Sequence, residues 1–561
     1  MNFRNKKMLW LILFLTACTT VSKIPLTDQQ LKTNLKQHIS TLASDKFEGR
    51  ETGTLGERRA YEYIVSRFKK LKLSPNGEEG FLQPFTFIAS ADVGKSTQLY
   101  VNSKSYRLND EFYPLSFSGN GLATGFVTKA GYGIVAPDLL YDDYRGKTNL
   151  SRRIFLIETG TPDGNNPHGK FSAYEDLKQK AETAISKGAS GIIFINSDTT
   201  LENPSEKINP KLSAVKIPVV FAKGDAAKFL KNEIVTNCTV GAEIIRNERT
   251  GHNVVAFLDN HAPTTIVIGA HYDHLGFGDE NSLFAGGKAI HNGADDNASG
   301  SAALIELAAL IRQSNYTKSN YLFMAFSGEE KGLLGSNYFV KHPTIDLKTV
   351  SCMINMDMVG RLKPDEKTLI INGTGTSPRW KTLMDSVAVG GIKIKTSESG
   401  VGPSDQTSFY LQDIPSLHFF TGTHSDYHKP SDDEDKINYD GGVSVVRTIM
   451  NVVARIHDSG KLVFTKTQDS NSSDAPSFKV TLGIMPDYAY SGEGVRADGV
   501  SEGKPAFKAG IKAGDVIIEL GDFKTADMMQ YMKALGKFSK GQTTKVKIKR
   551  GTETLELPLT F

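Results

Sequence analysis

Between about residue 246 and residue 460, short apolar runs of strand character take turns with helix-like stretches, and this alternation limits the fold more than any other feature. The runs at 264–270, 321–326, 350–356, 369–372 and 415–420 are short and mostly rich in β-branched, aromatic or aliphatic residues, as buried strands are. Residues 299–311 between the first two are Ala- and Leu-rich and read as a helix. Strands that alternate with helices imply an α/β architecture, a mostly parallel mixed sheet with helices on both faces. In such a sheet the site lies beyond the carboxyl ends of the strands.

Chemistry-bearing clusters sit at those ends. His271-Tyr-Asp273 follows the first strand, and Gly293-Ala-Asp295-Asp296-Asn297 precedes the helix. Gly328-Glu329-Glu330 follows the second strand, Asn355-Met-Asp357 ends the third, and His428 comes after the last. Taken singly, each has a plainer reading: His-x-Asp is common, Asp and Asn cap helices, and paired acids at a strand end are a solvated turn. Together they supply two histidines, three carboxylates and one glutamate left over, the needs of a two-zinc hydrolase. Asp273 can fix the tautomer of His271 by accepting from its second ring nitrogen. Glu329 and Glu330 point differently, so one can ligate while the other handles a proton. Asp357 at the end of an apolar strand would be a costly unpaired charge that a cation relieves. Asp295 can bridge two cations while Asp296 and Asn297 manage the helix start.

The rest of the 561 residues must form further domains, two to four in all. With 39% hydrophobic and 23% charged residues the chain has the composition of a soluble globular protein. Its net charge of +4 comes without a basic cluster interleaved with aromatics, so no nucleic-acid partner is expected. Residues 1–18 read as a signal segment: Arg4, Lys6 and Lys7 precede an apolar run at 8–15 too short to span a bilayer. Residues 19–117 form the N-terminal part of the catalytic domain and include Phe47-Glu-Gly-Arg50, Gly53 and a helix face of Tyr61, Ile64, Val65, Phe68 and Leu71. Residues 118–245 are a β-rich insertion with runs at 125–128, 154–157, 191–195 and 217–221 and a helix at 173–187. The catalytic block 246–460 follows, then a polar linker at 461–476 and a small β-rich domain at 477–561. Cys238 and Cys352 are too few for a disulfide framework, and a buried thiol is expected at Cys352.

Several resemblances add to this reading. Leu15-Thr-Ala-Cys18 resembles a bacterial lipobox, which implies export to the cell envelope and lipidation of Cys18, with Thr19 favouring the outer membrane and acyl chains as the membrane anchor. The run at 187–195 resembles the core of a protease-associated domain. The stretches 482–485, 505–520 and 544–550 resemble a PDZ domain of the bacterial protease type, whose groove takes a peptide or protein ligand by strand addition. The catalytic clusters resemble the co-catalytic zinc aminopeptidases, metallopeptidase family twenty-eight. That resemblance implies two zinc ions sharing a hydroxide, with Asp295 bridging them, His271 and Asp357 completing one site and Glu330 and His428 the other. It makes Glu329 the general base and acid, Asp273 the partner of His271, and Tyr427 a stabiliser of the tetrahedral intermediate. It also implies a cis peptide bond at Asp295–Asp296. The activity implied is removal of N-terminal residues from peptide substrates.

The chain departs from the family at three places: His274 and His424 are additional imidazoles, and Gln406 stands where the 402–409 loop usually has histidine. A carboxypeptidase- or dipeptidase-like hydrolase, glutaminyl cyclase chemistry and a non-catalytic peptide-binding lipoprotein remain alternatives on the same scaffold.

Overall fold

The computed structural model describes residues 26–467, other than 165, 167, 168, 211, 236, 279, 280 and 285, and residues 480–561, other than 487–493, 501–503, 527, 539 and 540. The signal segment with Cys18 and most of the polar linker lie outside the described residues. Among the described residues no helix is long and apolar enough to cross a membrane.

The catalytic block is organised around one mixed sheet. Its main strands are β1 (Leu82–Val93), β2 (Ile244–Leu258), β3 (Thr265–His271), β4 (Asn320–Phe326), β5 (Val350–Met356), β6 (Thr368–Asn372), β7 (Lys393–Ser397) and β8 (Ser416–Phe420). They run in the order β2-β4-β3-β5-β8-β6-β7, with β1 paired to β2. The central pairs β3–β4, β3–β5 and β5–β8 are parallel, whereas β2–β4 and β6–β8 are antiparallel. Each expected strand of this block is present within a residue or so of its expected bounds.

The period of two along each strand divides its side chains between two cores. Ile266, Ile268 and Ala270 of β3, Tyr321, Phe323 and Ala325 of β4, and Cys352, Ile354 and Met356 of β5 face one core. Val267, Leu322, Met324, Phe326, Val350 and Met353 face the other, against Phe339 and Phe409. The larger core is closed by four helices, α1 (Asp28–Leu42), α2 (Leu55–Lys70), α3 (Gly300–Gln313) and α4 (Tyr439–Ile456). Every residue of α3 from Gly300 to Ile311 is buried, which explains its mostly apolar composition; its buried acid, Glu306, lies 3.1 Å from His38 Nε2. Helix α4 was not anticipated, although its apolar positions Val445, Ile449, Val452, Val453 and Ile456 have helical spacing.

The insertion leaves and returns through the ribbon β1–β2, whose antiparallel pairing runs from Leu82↔Val254 to Val93↔Ile244. Its strands form a five-stranded and a four-stranded sheet. The second of these includes Gln98–Val101, paired antiparallel with Cys238–Ala242, so the inserted sheets begin at Gln98 rather than at 118. The expected single strand at 125–128 is divided at Phe126: Gly121–Gly125 joins one sheet and Val127–Lys129 the other. Both corrections have one cause. The pairing partners lie far away in the chain, where local propensity carries no information.

The C-terminal region has its own sheet, Ile484–Pro486, Val495–Val500, Val516–Leu520, Thr543–Arg550 and Glu553–Thr560, over a core that includes Leu482, Ile517, Val546 and Ile548.

Ile268 is fully buried in the middle of β3. Truncation by Ile268→Ala should lower the stability of the catalytic block by about 2–5 kcal/mol in urea unfolding followed by tryptophan fluorescence. A loss under about 1 kcal/mol would contradict the central place given to this strand.

Candidate metal centre

The parallel register sets the first pair of side chains. Gly269 lies opposite Asn355 across β3 and β5, so two residues further on His271 faces Asp357. Their closest atoms, His271 Nε2 and Asp357 Oδ1, are 3.3 Å apart. Glu329 and Glu330 sit in the turn just beyond β4, with Glu329 Oε2 4.0 Å from His271 Nε2. His428 arrives on the loop that follows β8 and places Nε2 3.1 Å from Glu330 Oε2.

The turn ahead of α3 joins these two groups. Asp296 Oδ1 lies 3.4 Å from His271 Nε2, and Asp296 Oδ2 lies 3.3 Å from His428 Nε2. One carboxylate thus spans both imidazoles, and it belongs to Asp296. The expectation for Asp295 is corrected by one residue. Asp295 is turned the other way, with Oδ1 accepting the amide of Gly360 at 2.7 Å and Oδ2 3.3 Å from His424 Nε2. The cis peptide bond is displaced in the same way, to Asp296–Asn297 instead of Asp295–Asp296. Adjacent side chains in this tight turn project to opposite sides, so a shift of one residue decides which acid enters the crevice. Gly293 permits the turn: its φ is +54°, and a Cβ there would stand 2.1 Å from the carbonyl oxygen of Asp296.

Several polar contacts lock this arrangement. Asn297 donates to the carbonyl of Met356 at 2.9 Å and accepts from the amides of Gly300 and Met358, which ties the start of α3 to the strand end that carries Asp357. Asp432 Oδ2 accepts the amides of Asp295 and Asp296, both at 3.0 Å, and fastens the His428 loop to the same turn. Asn297 is at the helix start, as expected, where it accepts the amide of Gly300; Asp432 had no assigned role. Gln406 is buried and accepts from Asn355 at 3.2 Å, so it braces the end of β5.

The two additional histidines also find places. His274 Nδ1 is 2.7 Å from Glu330 Oε1 and orients that carboxylate. His424 Nδ1 receives a hydrogen bond from Arg361 at 3.0 Å while its Nε2 faces Asp295. Tyr427 stacks on His428 with ring centroids 3.8 Å apart.

The donor set suits a metal on physical grounds. His428 Nδ1 lies 2.9 Å from the carbonyl of Asn281, so a neutral ring carries its proton there and turns the Nε2 lone pair toward Asp296 and Glu330. His428 Nε2 is buried and has no hydrogen-bond partner among the described residues. A lone pair aimed at carboxylates is repulsive unless a cation lies between them. His271 is held alike, with Nδ1 3.2 Å from the carbonyl of Asp273 and 3.6 Å from its carboxylate, and Nε2 toward the acids. The side chains of His271, Glu329 and Asp357, and those of His274, Asp296 and Glu330, each bring three ligand atoms within 4.8 Å of one another. In the second group His428 is the better ligand than His274, because Nδ1 of His274 is already engaged with Glu330.

With no cation between them, the acids draw these imidazoles toward their protonated form. Burial alone would depress His271, but Asp357 and Glu329 overcome it and hold the imidazole well above its ordinary value. His428 is lifted in the same manner against burial, chiefly by Glu330. Burial would raise Glu330, yet His428 draws its carboxyl down to about 2. Glu329 differs: burial, with Asp357 and Glu330 adding to it against the pull of His271, raises it well above the carboxylate range. Of the two adjacent glutamates, one is held ionised and the other holds a proton readily, as the division between ligand and base requires.

Residues 253–453 match peptidase family M28, and residues 473–560 match a PDZ domain. Aminopeptidase YwaD of Bacillus subtilis is 25% identical over 438 residues, which is 73% of this chain and 82% of that protein. An aminopeptidase of Pseudomonas aeruginosa is 26% identical over 353 residues, 61% of this chain and 59% of that protein. Among solved structures, an aminopeptidase from Aneurinibacillus sp. strain AM-1 aligns over 78% of this chain and 97% of its own, with 23% identity and a TM-score of 0.44. A peptidase family M28 domain and, after it, a PDZ domain are thus detected within this chain.

Proposed function

We propose that this protein is a two-zinc aminopeptidase that removes N-terminal residues from peptides. The observation that carries the reading is the placement of Asp296, whose two oxygens face His271 and His428 respectively. In this reading His271 and Asp357 would hold one ion, His428 and Glu330 would hold the other, and Asp296 would serve both. When bound, the ions would polarise the scissile carbonyl and make water acidic enough to react near neutral pH. The chain's own residues do the rest. Glu329, beside Glu330 and 4.0 Å from His271 Nε2, takes the proton from the attacking water and returns it to the leaving amine. Asp273 holds the ring of His271, and His274 holds Glu330. Tyr427, which stacks on His428, is the residue proposed to steady the developing oxyanion. The leader ending in Cys18 supports export and lipid attachment to the cell envelope, and the PDZ domain supports a peptide or protein ligand there.

Three outcomes test the proposal. Glu329→Gln should keep both zinc ions by elemental analysis while kcat falls by about a thousandfold, and near-normal turnover would end the assignment of the base. Asp296→Asn should lose zinc and activity together. Asp295→Asn, which leaves the crevice ligands in place, should keep most of its zinc; the reverse order would restore Asp295 as the shared ligand. Zinc-loaded protein should cleave peptides with a free amino terminus, fail on N-blocked ones and stop when a chelator is added. Cleavage of blocked peptides alone would overturn the aminopeptidase reading.

A further inference from the structure

The N-terminal turn that contains Arg50 and Thr52 reaches the candidate metal centre from behind. Arg50 is fully buried and has no carboxylate within ion-pair distance among the described residues. Its guanidinium donates to four carbonyl oxygens: Tyr272 at 2.7 Å, Leu42 at 2.8 Å, Asn292 at 2.6 Å and Gly293 at 2.9 Å. Tyr272 lies between His271 and Asp273, and Gly293 opens the turn that carries Asp296. One side chain therefore pins two ligand-bearing segments together.

Two residues further on, Thr52 is also fully buried, and its hydroxyl lies 3.0 Å from Asp273 Oδ2. An ionised carboxylate only accepts, so the hydroxyl is the donor. The other oxygen of Asp273 accepts the backbone amide of Glu329 at 3.2 Å and faces His271 Nδ1 at 3.6 Å. Asp273 is thus a hub between the imidazole of one metal site and the backbone of the general base. Behind Thr52, the buried Glu57 accepts the amide of Gly53 at 2.8 Å through Oε2, which fixes the backbone beside the threonine. Its Oε1 accepts from Ser327 Oγ at 2.7 Å and from the amide of His252 at 2.9 Å.

We propose that Thr52 is a positioning residue for catalysis: its hydroxyl sets the orientation of Asp273, and through Asp273 it aligns His271 and Glu329 together. The inference deepens the function proposed above and rests on it. The hydroxyl is the restraint on Asp273 Oδ2, and a methyl in its stead leaves the carboxylate held through Oδ1 alone, with more freedom to turn. The consequence is a misdirected imidazole and a displaced base, with the substrate-binding surfaces unchanged. Outer contacts of this kind change metal affinity or activity by about 10–100-fold when removed.

The test compares full-length wild type, Thr52→Val and Thr52→Ser, each reconstituted with zinc. Turnover of a free-amine peptide is measured together with the rate at which a chelator withdraws zinc. Thr52→Val keeps the shape and loses the donor: kcat should fall by about 10–100-fold with KM within about twofold, and zinc should leave about tenfold faster. Thr52→Ser keeps the donor and should stay within about threefold of wild type in both readouts. A Thr52→Val protein within threefold of wild type in kcat and zinc release overturns the role, and so does a Thr52→Ser protein as impaired as the valine variant. If the valine variant does not fold, the serine variant alone decides, since a tenfold loss with the hydroxyl present overturns the proposal and retention supports it. Wild type that takes up no zinc and cleaves no peptide sinks the underlying function, an outcome distinct from an active wild type indifferent to residue 52.

Discussion

A buried carboxylate shared between two imidazoles is the constraint on which this structure depends. Asp296, Glu329, Glu330 and Asp357 converge within a few ångströms of His271 and His428, nearly out of reach of solvent. Acids brought together in this way repel one another and lose their hydration. Among the described residues no lysine or arginine forms an ion pair with these four acids: Arg50 acts on Asp296 and Glu330 only through space while it donates to carbonyl oxygens, and Arg361 is engaged with His424 and Asp426. An acid cluster relieved so incompletely suits a small, doubly charged cation.

The rest of the scaffold follows from the need to bring these residues to one place. Parallel strands put their carboxyl ends on one edge, so His271, Glu329, Asp357 and the loop to His428 share a rim without sharing any stretch of sequence. The apolar period of two within each strand fixes the register, because a slip of one residue would turn both cores inside out. Register in turn decides that His271 stands opposite Asp357. The precision of the rim is therefore inherited from hydrophobic packing some distance away from it.

Much of this was legible in the sequence, and the reasons differ by feature. The strands of the catalytic block are short runs bounded by polar residues, and burial on both faces makes them apolar throughout, so their positions can be read locally. His271, Glu329, Glu330, Asp357 and His428 could be singled out because each is chemically out of place beside an apolar segment. The inserted sheets were harder. Gln98–Val101 is paired with Cys238–Ala242, and nothing near residue 98 announces a partner that far along the chain. Helix α4 has a clear apolar stripe, but it lies beyond the last chemical cluster and drew no attention for that reason.

The choice between Asp295 and Asp296 shows where sequence reasoning stops. Two adjacent acids have the same chemistry, the same cost when buried and the same place relative to the helix, so composition and spacing weigh them equally. What separates them is the path of the backbone between Gly293 and Gly300. There Gly360 claims one oxygen of Asp295, Asp432 claims both amides, and Asn297 ties the turn to β5. Gly360, Asp432 and Met356, the far ends of these contacts, are all distant in sequence. Which acid stands between the two imidazoles is thus set by contacts that exist only once the sheet has formed, whereas the local features of the chain locate the turn alone.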